Sequence, residues 1–315
     1  SGGGCTRGLI LVFDATGKQT TQSFVLPPKP APGKVAFMNL TTVVATTNEV
    51  ISLGDAFVRL DLSGSVKQTS FDVFAPGKAR AHDATWDGKR VYAITTSAVP
   101  NSWAVTALTP EGKVVWKKTP NVSATHWTQI THVPGVGPAL AGYKVKKSGL
   151  TGVIAQMTTT GAAKWSRFDL ETLGQSIGRL GADTVLVSGT LPQTSSLSTV
   201  GPRRVLAYDT SGKLLWTQGS PVQGPALTHR IVRLGDGSAL VVGDLLVGHG
   251  SGAKVTDVYR VSAAGQAVCA PPAVCGDKKQ AIGEDCDDGN QEDFDSCWSD
   301  CSSRPIIKRA SVPAS

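Results

Sequence analysis

Three histidines occur in similar settings: His82 in RAHDATW, His126 in ATHWTQI and His229 in LTHRIVR, each at the opening of a strand-like run. If those runs converge, three imidazoles make a set able to hold zinc or another transition metal. The same residues also suit the polar lining of a wet cleft, and both readings stay open; the three are ligand-binding candidates. A second group is acidic. Asp285, Asp287, Asp288, Asn290, Asp293 and Asp295 crowd oxygen donors into one short stretch. Packed carboxylates repel one another unless a cation sits among them, and calcium takes about six to eight such oxygens. Asp287, Asp288, Asn290 and Asp295 are the expected calcium ligands, although the spacing is not that of an EF-hand. The alternative is a solvated acidic loop whose Asp and Asn side chains cap turns. No Gly-x-Ser-x-Gly elbow, P-loop or Rossmann fingerprint is present, so no catalytic residue is nominated.

The elements that position these residues are read from RVLAYDTSGKLLWTQG, Arg204 to Gly219. Its first half alternates like a half-buried strand, Asp-Thr-Ser-Gly suits a tight turn, and Leu-Leu-Trp begins a returning strand. Imperfect copies are centred on Gly17, Gly64, Gly112, Gly161 and Gly265, so the turn glycines recur every 47 to 53 residues. Three residues before the six glycines stand Asp14, Asp61, Thr109, Thr158, Asp209 and Ser262, all able to accept a backbone N–H within the turn. Four residues after them come Thr21, Gln68, Trp116, Trp165, Trp216 and Cys269. Two further strand-like runs separate successive hairpins, which makes four strands per unit.

Four antiparallel strands repeated at this period predict an all-β chain of β-propeller blades, because a lone blade cannot bury both of its faces. Blades are expected over residues 34–72, 78–119, 124–169, 174–219 and 226–270, after an opening hairpin from Leu9 to Val25. Five full units and a half unit favour six blades, with IIKRASV near the C-terminus able to supply one strand of the sixth at most; a missing N-terminal piece or an open ring is the alternative. In this arrangement His82, His126 and His229 gather at one mouth of the channel. The copies GDAFVRLDLSGSV, AVTALTPEGKVVW and VLAYDTSGKLLW resemble the propeller repeats of secreted deltaproteobacterial proteins (SBBP-like), and the tryptophan-bearing blades of PQQ-type propellers. The adjacent-cysteine pair and cofactor-stacking set of PQQ dehydrogenases are not recognisable, so the likeness implies a fold and no activity.

The tail CGDKKQAIGEDCDDGNQEDFDSCWSDC, Cys275 to Cys301, resembles the myxobacterial-type cysteine-rich disulfide repeat. Gly283, Glu284, Cys286, Asp287, Asp288, Gly289, Asn290, Asp295, Cys297 and Cys301 match its pattern, while Lys278, Phe294 and Ser296 stand where that family has glycine. The resemblance implies two disulfides among Cys275, Cys286, Cys297 and Cys301 in a module too small for a core. Cys5 precedes the first hairpin and Cys269 ends the last. In a closed ring those hairpins are neighbours, so a Cys5–Cys269 staple is expected, with lipidation of Cys5 and other pairings as alternatives. The organisation is then a tether at 1–8, a propeller at 9–270, a disulfide-rich module at 271–303 and a tail at 304–315.

Only 17% of the 315 residues are charged, and 35 glycines with 18 prolines fit a turn-rich chain. The formal charge of +7 is uneven: Cys269 to Cys301 holds two lysines against nine acidic residues, so the remainder is more basic than the total. No run of basic residues with interleaved aromatics points to specific nucleic-acid binding, and no apolar run is long enough to span a membrane. An even number of cysteines, five of six clustered, points to an oxidising compartment. Together these readings predict a non-catalytic binding or assembly scaffold, secreted or on the outer surface of the cell envelope, whose loops recognise protein or polysaccharide. The alternatives are a channel-mouth hydrolase or lyase, and an outer-membrane assembly lipoprotein with an anchor upstream of Ser1.

Overall fold

The computed structural model describes residues 8–13, 19–25, 40–71, 73–74, 80–96, 102–120, 125–146, 149–170, 172–192, 200–219, 226–247, 253–262 and 267–268. They form five four-stranded antiparallel sheets and one two-stranded sheet. The hairpin β1 (Gly8–Phe13) and β2 (Gln19–Val25) makes the small sheet. Blade 1 is β3 (Leu40–Ala45), β4 (Glu49–Gly54), β5 (Phe57–Asp61) and β6 (Val66–Ser70). Blade 2 is β7 (Ala81–Trp86), β8 (Val91–Thr96), β9 (Trp103–Leu108) and β10 (Val114–Lys118). Blade 3 is β11 (Thr125–Val133), β12 (Gly137–Lys146), β13 (Gly149–Met157) and β14 (Ala163–Leu170). Blade 4 is β15 (Ser176–Leu180), β16 (Thr184–Pro192), β17 (Val200–Asp209) and β18 (Leu214–Gly219). Blade 5 is β19 (Ala226–Arg233), β20 (Ala239–Val247), β21 (Ala253–Val261) and β22 (Ala267–Val268).

The fold is therefore a β-propeller, with five blades rather than the six expected. The opening hairpin pairs only with itself among the described residues and is not completed by two inner strands, so six copies of the turn yield five four-stranded units. Compact packing divides the chain at Ala267, the second unit running from Val268 to Ser315. Cys5, Cys269, Cys275, Cys286, Cys297, Cys301, Asp287, Asp288, Asn290 and Asp295 lie outside the described residues, as does IIKRASV.

The turn joining the third and fourth strands works as its residues dictate. Asp209 Oδ1 accepts the amides of Ser211 at 2.8 Å and Lys213 at 3.0 Å, and Gly212, at φ 83°, closes the turn by donating its N–H to the Asp209 carbonyl. Thr158 does the same with its hydroxyl, accepting Ala162 N at 3.0 Å beside Gly161 at φ 82°. A register shift follows in each of these hairpins, so one outer-strand residue is skipped and the strand bends.

Blades bury their faces on one another, and the core is a series of interblade layers. Ile51, Leu53 and Phe57 of blade 1 meet Ala84, Val91 and Ala93 of blade 2. Tyr92, Ile94 and Val105 of blade 2 meet Ile130, Leu140 and Val153 of blade 3. Ile154 of blade 3 packs with Ile177, Val185 and Val187 of blade 4, and Leu186 and Val205 of blade 4 pack with Ile231, Val241 and Tyr259 of blade 5. Middle strands are covered on both sides, which is why every residue of β13 is buried. The outer-strand tryptophans key each blade to the next turn: Trp116 Nε1 donates to Thr159 O at 3.0 Å and Trp165 Nε1 to Thr210 O at 2.9 Å. Gln68 fills the same slot in blade 1 and donates through its amide to Glu111 O at 3.1 Å.

Candidate functional site

The innermost strands β3, β7, β11, β15 and β19 stand side by side in sequence order. In four of them one residue is extruded from the ladder: Thr41, His82, Thr128 and His229 have no partner on the second strand. In blades 3 and 5 the second strand comes close to the backbone just before the bulge, and in blade 4 it does so just before β15. A Cβ on Gly142 would lie 2.1 Å from His126 O, one on Gly189 1.5 Å from Leu173 O, and one on Gly243 1.9 Å from Leu227 O. Only glycine permits the backbone to come so near.

The residue after each bulge turns to the axis. Asp83, 4% exposed, accepts Thr42 Oγ1 at 3.2 Å, Arg230 Nη1 at 3.0 Å and the Ile130 amide at 2.9 Å. Gln129 accepts Ser176 Oγ at 2.7 Å and Ile177 N at 3.3 Å, and its amide donates to His229 O at 2.5 Å. Blade 5 thus bonds to blade 2 past blade 1, and to blade 3 past blade 4. Thr42, Asp83, Gln129, Ser176 and Arg230 form a belt that bridges the centre. Thr41 and Thr128 tie neighbouring strands together at the same level, donating to Ala81 O and Gly174 O at 2.5 Å each.

On the side of the belt where the innermost strands begin, the three candidate histidines are not brought together. His82 and His229 occupy the bulge of blades 2 and 5, whereas Thr128 takes that position in blade 3 and leaves His126 two residues earlier. His229 Nε2 bonds Asp244 Oδ2 at 2.9 Å in its own blade. Among the described residues no three His, Cys, Asp or Glu side chains are grouped to hold a metal. His82 and His126 instead flank Trp103, with ring centroids 4.8 Å and 6.0 Å from it, and His126 stacks on Tyr143 at 5.1 Å and 15°. These four half-buried rings make a continuous aromatic row across blades 2 and 3. Burial first, then Arg80, pushes the His82 imidazole below its usual pKa against the opposing pull of Asp55, and its Nε2 is buried with no hydrogen-bond partner. Burial also pushes the Tyr143 phenol up, so both groups stay neutral at neutral pH.

Sequence reading missed Asp83, Gln129, Arg230 and Trp103. The first three share one position, the residue after the bulge; a glycine in the facing strand marks it for Gln129 and Arg230, whereas Asp83 faces no glycine.

No protein-family model and no curated protein matches the chain. Among solved structures, hydrazine synthase of Kuenenia stuttgartiensis is similar at a TM-score of 0.51 and 11% identity, over 75% of this chain and 67% of that one. A luciferin-regenerating enzyme gives a TM-score of 0.48 at 11% identity over 81% and 84% of the two chains. At such identities the likeness concerns the fold alone: the protein is a β-propeller of five four-stranded blades.

Proposed function

We propose that the protein is a non-catalytic binding scaffold at the outer surface of the cell envelope, and that it takes polysaccharide at the mouth where the innermost strands begin. The observation that carries this reading is the row His82–Trp103–His126–Tyr143. Half-buried rings held in tilted, edge and stacked contact by a rigid sheet offer flat apolar surfaces beside ring nitrogens and a phenol, which suits the apolar faces and hydroxyls of sugar rings. Beneath the row, the axial belt supports it: Asp83 and Gln129 spend their hydrogen-bonding capacity on neighbouring blades. The compartment rests on the cysteine usage of the sequence.

The test is affinity electrophoresis of the full chain through gels containing purified envelope polysaccharides. Retardation by one of them, abolished in Trp103→Ala and weakened in His126→Ala with the fold intact, is the expected result. Unaltered retardation of Trp103→Ala overturns the assignment to this mouth. A second reading, a channel-mouth hydrolase or lyase, is favoured by one contact: His229 paired with Asp244 at 2.9 Å is an imidazole oriented by a carboxylate, the arrangement of a general base. Depolymerisation of the retained polysaccharide, lost in His229→Ala, distinguishes it.

A further inference from the structure

The other end of the innermost strands carries a different chemistry. Counting three residues on from the belt gives Ala45, Trp86, His132, Arg179 and Arg233, so blades 3, 4 and 5 present His132, Arg179 and Arg233 at one level on adjacent strands. Each is the last residue of its strand or the one before it. Their fields reach one another: after burial, and against the opposing pull of Asp87, Arg179 lowers the proton affinity of His132, and Arg233, after burial, lowers that of Arg179. Among the described residues neither guanidinium makes a hydrogen bond or an ion pair.

Two of the carboxylates at this end, Asp87 and Asp236, are engaged elsewhere. Asp87 accepts the amides of Lys89 and Arg90 at 2.7 and 2.6 Å and the Tyr92 hydroxyl at 2.7 Å, and Asp236 pairs with Arg260 and accepts from Ser238. Asp183, in the turn after β15, makes no ion pair with Arg179. Arg90 is held by Thr159 O at 2.7 Å. Two like charges at one level of adjacent strands, one of them half-buried, repel each other, and an anion between them would relieve that repulsion. Ten N–H donors in two planar forks match an oxyanion, and a neutral imidazole beside them offers one donor more.

We propose that Arg179 and Arg233, flanked by His132, form an oxyanion-binding site at the mouth opposite the aromatic row, taking a phosphate or carboxylate group. The site is independent of the polysaccharide assignment, since the belt lies between the two mouths.

The test is thermal unfolding of the full chain with inorganic phosphate, and in a separate arm with acetate, each against sodium chloride at the same ionic strength. The expected result is a rise in Tm with at least one of the two anions beyond that in chloride, the responsive arm identifying the preferred group. The response disappears in Arg179→Gln/Arg233→Gln, whose Tm in chloride is higher than that of the parent because the repulsion is gone. Arg233→Gln alone, at an exposed position where misfolding is not at issue, weakens apparent phosphate or acetate affinity by about tenfold. Lys164→Gln, on the outer strand β14, keeps the full response. A Tm indifferent to both anions, or a response that survives the double substitution, overturns the proposal.

Discussion

Arg230 Nη1 lies 3.0 Å from Asp83 Oδ1, and the bond joins blade 5 to blade 2 with blade 1 passed over. A propeller resists opening through the contacts between consecutive blades, and here a charged pair on its axis adds a link between blades 147 residues apart in sequence. The carboxylate is nearly enclosed and holds three donors, while the guanidinium is 46% exposed. The two partners therefore have unequal roles.

Asp83→Ala is expected to cost about 3 kcal/mol, because it strands the Ile130 amide, the Thr42 hydroxyl and Arg230 together. Arg230→Ala, at a partly solvated position, costs about 1 kcal/mol. The two losses overlap, so the double variant is more stable than their sum by roughly 1 kcal/mol. Urea unfolding of the four proteins checks this; strictly additive losses would show that the bond across the axis contributes nothing.

The outer tryptophans act by shape and by a single hydrogen bond. Trp165→Phe keeps a ring against Tyr208, whose centroid is 6.4 Å away, and loses only the donor to Thr210 O, for about 1 kcal/mol. Trp165→Ala also uncovers the Gly212 turn, against which the indole packs, and costs about 3 kcal/mol. Equal destabilisation by both substitutions would assign the whole effect to the hydrogen bond.

Those outer hairpins were the most legible part of the sequence. Asp209 and Gly212, or Thr158 and Gly161, are neighbours in the chain, so their chemistry fixes the turn before any tertiary contact forms. Blade limits followed: the expected 124–169 and 174–219 became β11–β14 and β15–β18. The number of blades did not follow, since a turn signal reports a hairpin and not whether two inner strands accompany it. The candidate site was half legible. His82 and His126 do lie at one mouth with an aromatic between them, but the one-residue bulge that His82 occupies in blade 2 is held in blade 3 by Thr128 rather than His126. The partners that Asp83, Gln129 and Arg230 find across the axis were invisible because they come from blades far along the chain.

The glycines opposite the bulges separate steric from entropic effects. Gly243→Ala places a methyl 1.9 Å from Leu227 O and 2.9 Å from Arg203 Nη2, and is expected to destabilise by about 3 kcal/mol. Gly235→Ala, with nothing within 4 Å of the new methyl, is expected to be neutral or to stabilise by about 0.5 kcal/mol. Calorimetry of both variants decides; a Gly243→Ala protein as stable as the parent would mean that the bulge is not fixed by this contact.

Acid sensitivity should begin near neutrality. Burial lowers the proton affinity of His132, which stacks on Tyr92 at 6.4 Å and is pulled upward by Asp87 and downward by Arg179. His82 is lowered in the same way. Above about 6.5, the ordinary imidazole value, both are neutral whether the chain is folded or not and contribute no pH dependence. Below it the unfolded chain takes up protons first, so stability falls with decreasing pH until the folded-state values are passed. Each histidine contributes a slope of at most about 1.4 kcal/mol per pH unit. The lowered carboxyl of Asp87 extends the loss further into acid, its stabilisation being present above the ordinary carboxyl value of 3.8 and lost as pH falls through the folded value. His132→Gln should flatten the profile between pH 6.5 and 5.5, and combining it with His82→Gln should flatten it further. Denaturant midpoints across that interval test the sign. A midpoint that rises on acidification would place the imidazoles in a setting that favours their charge, contrary to the burial that the interblade layers impose.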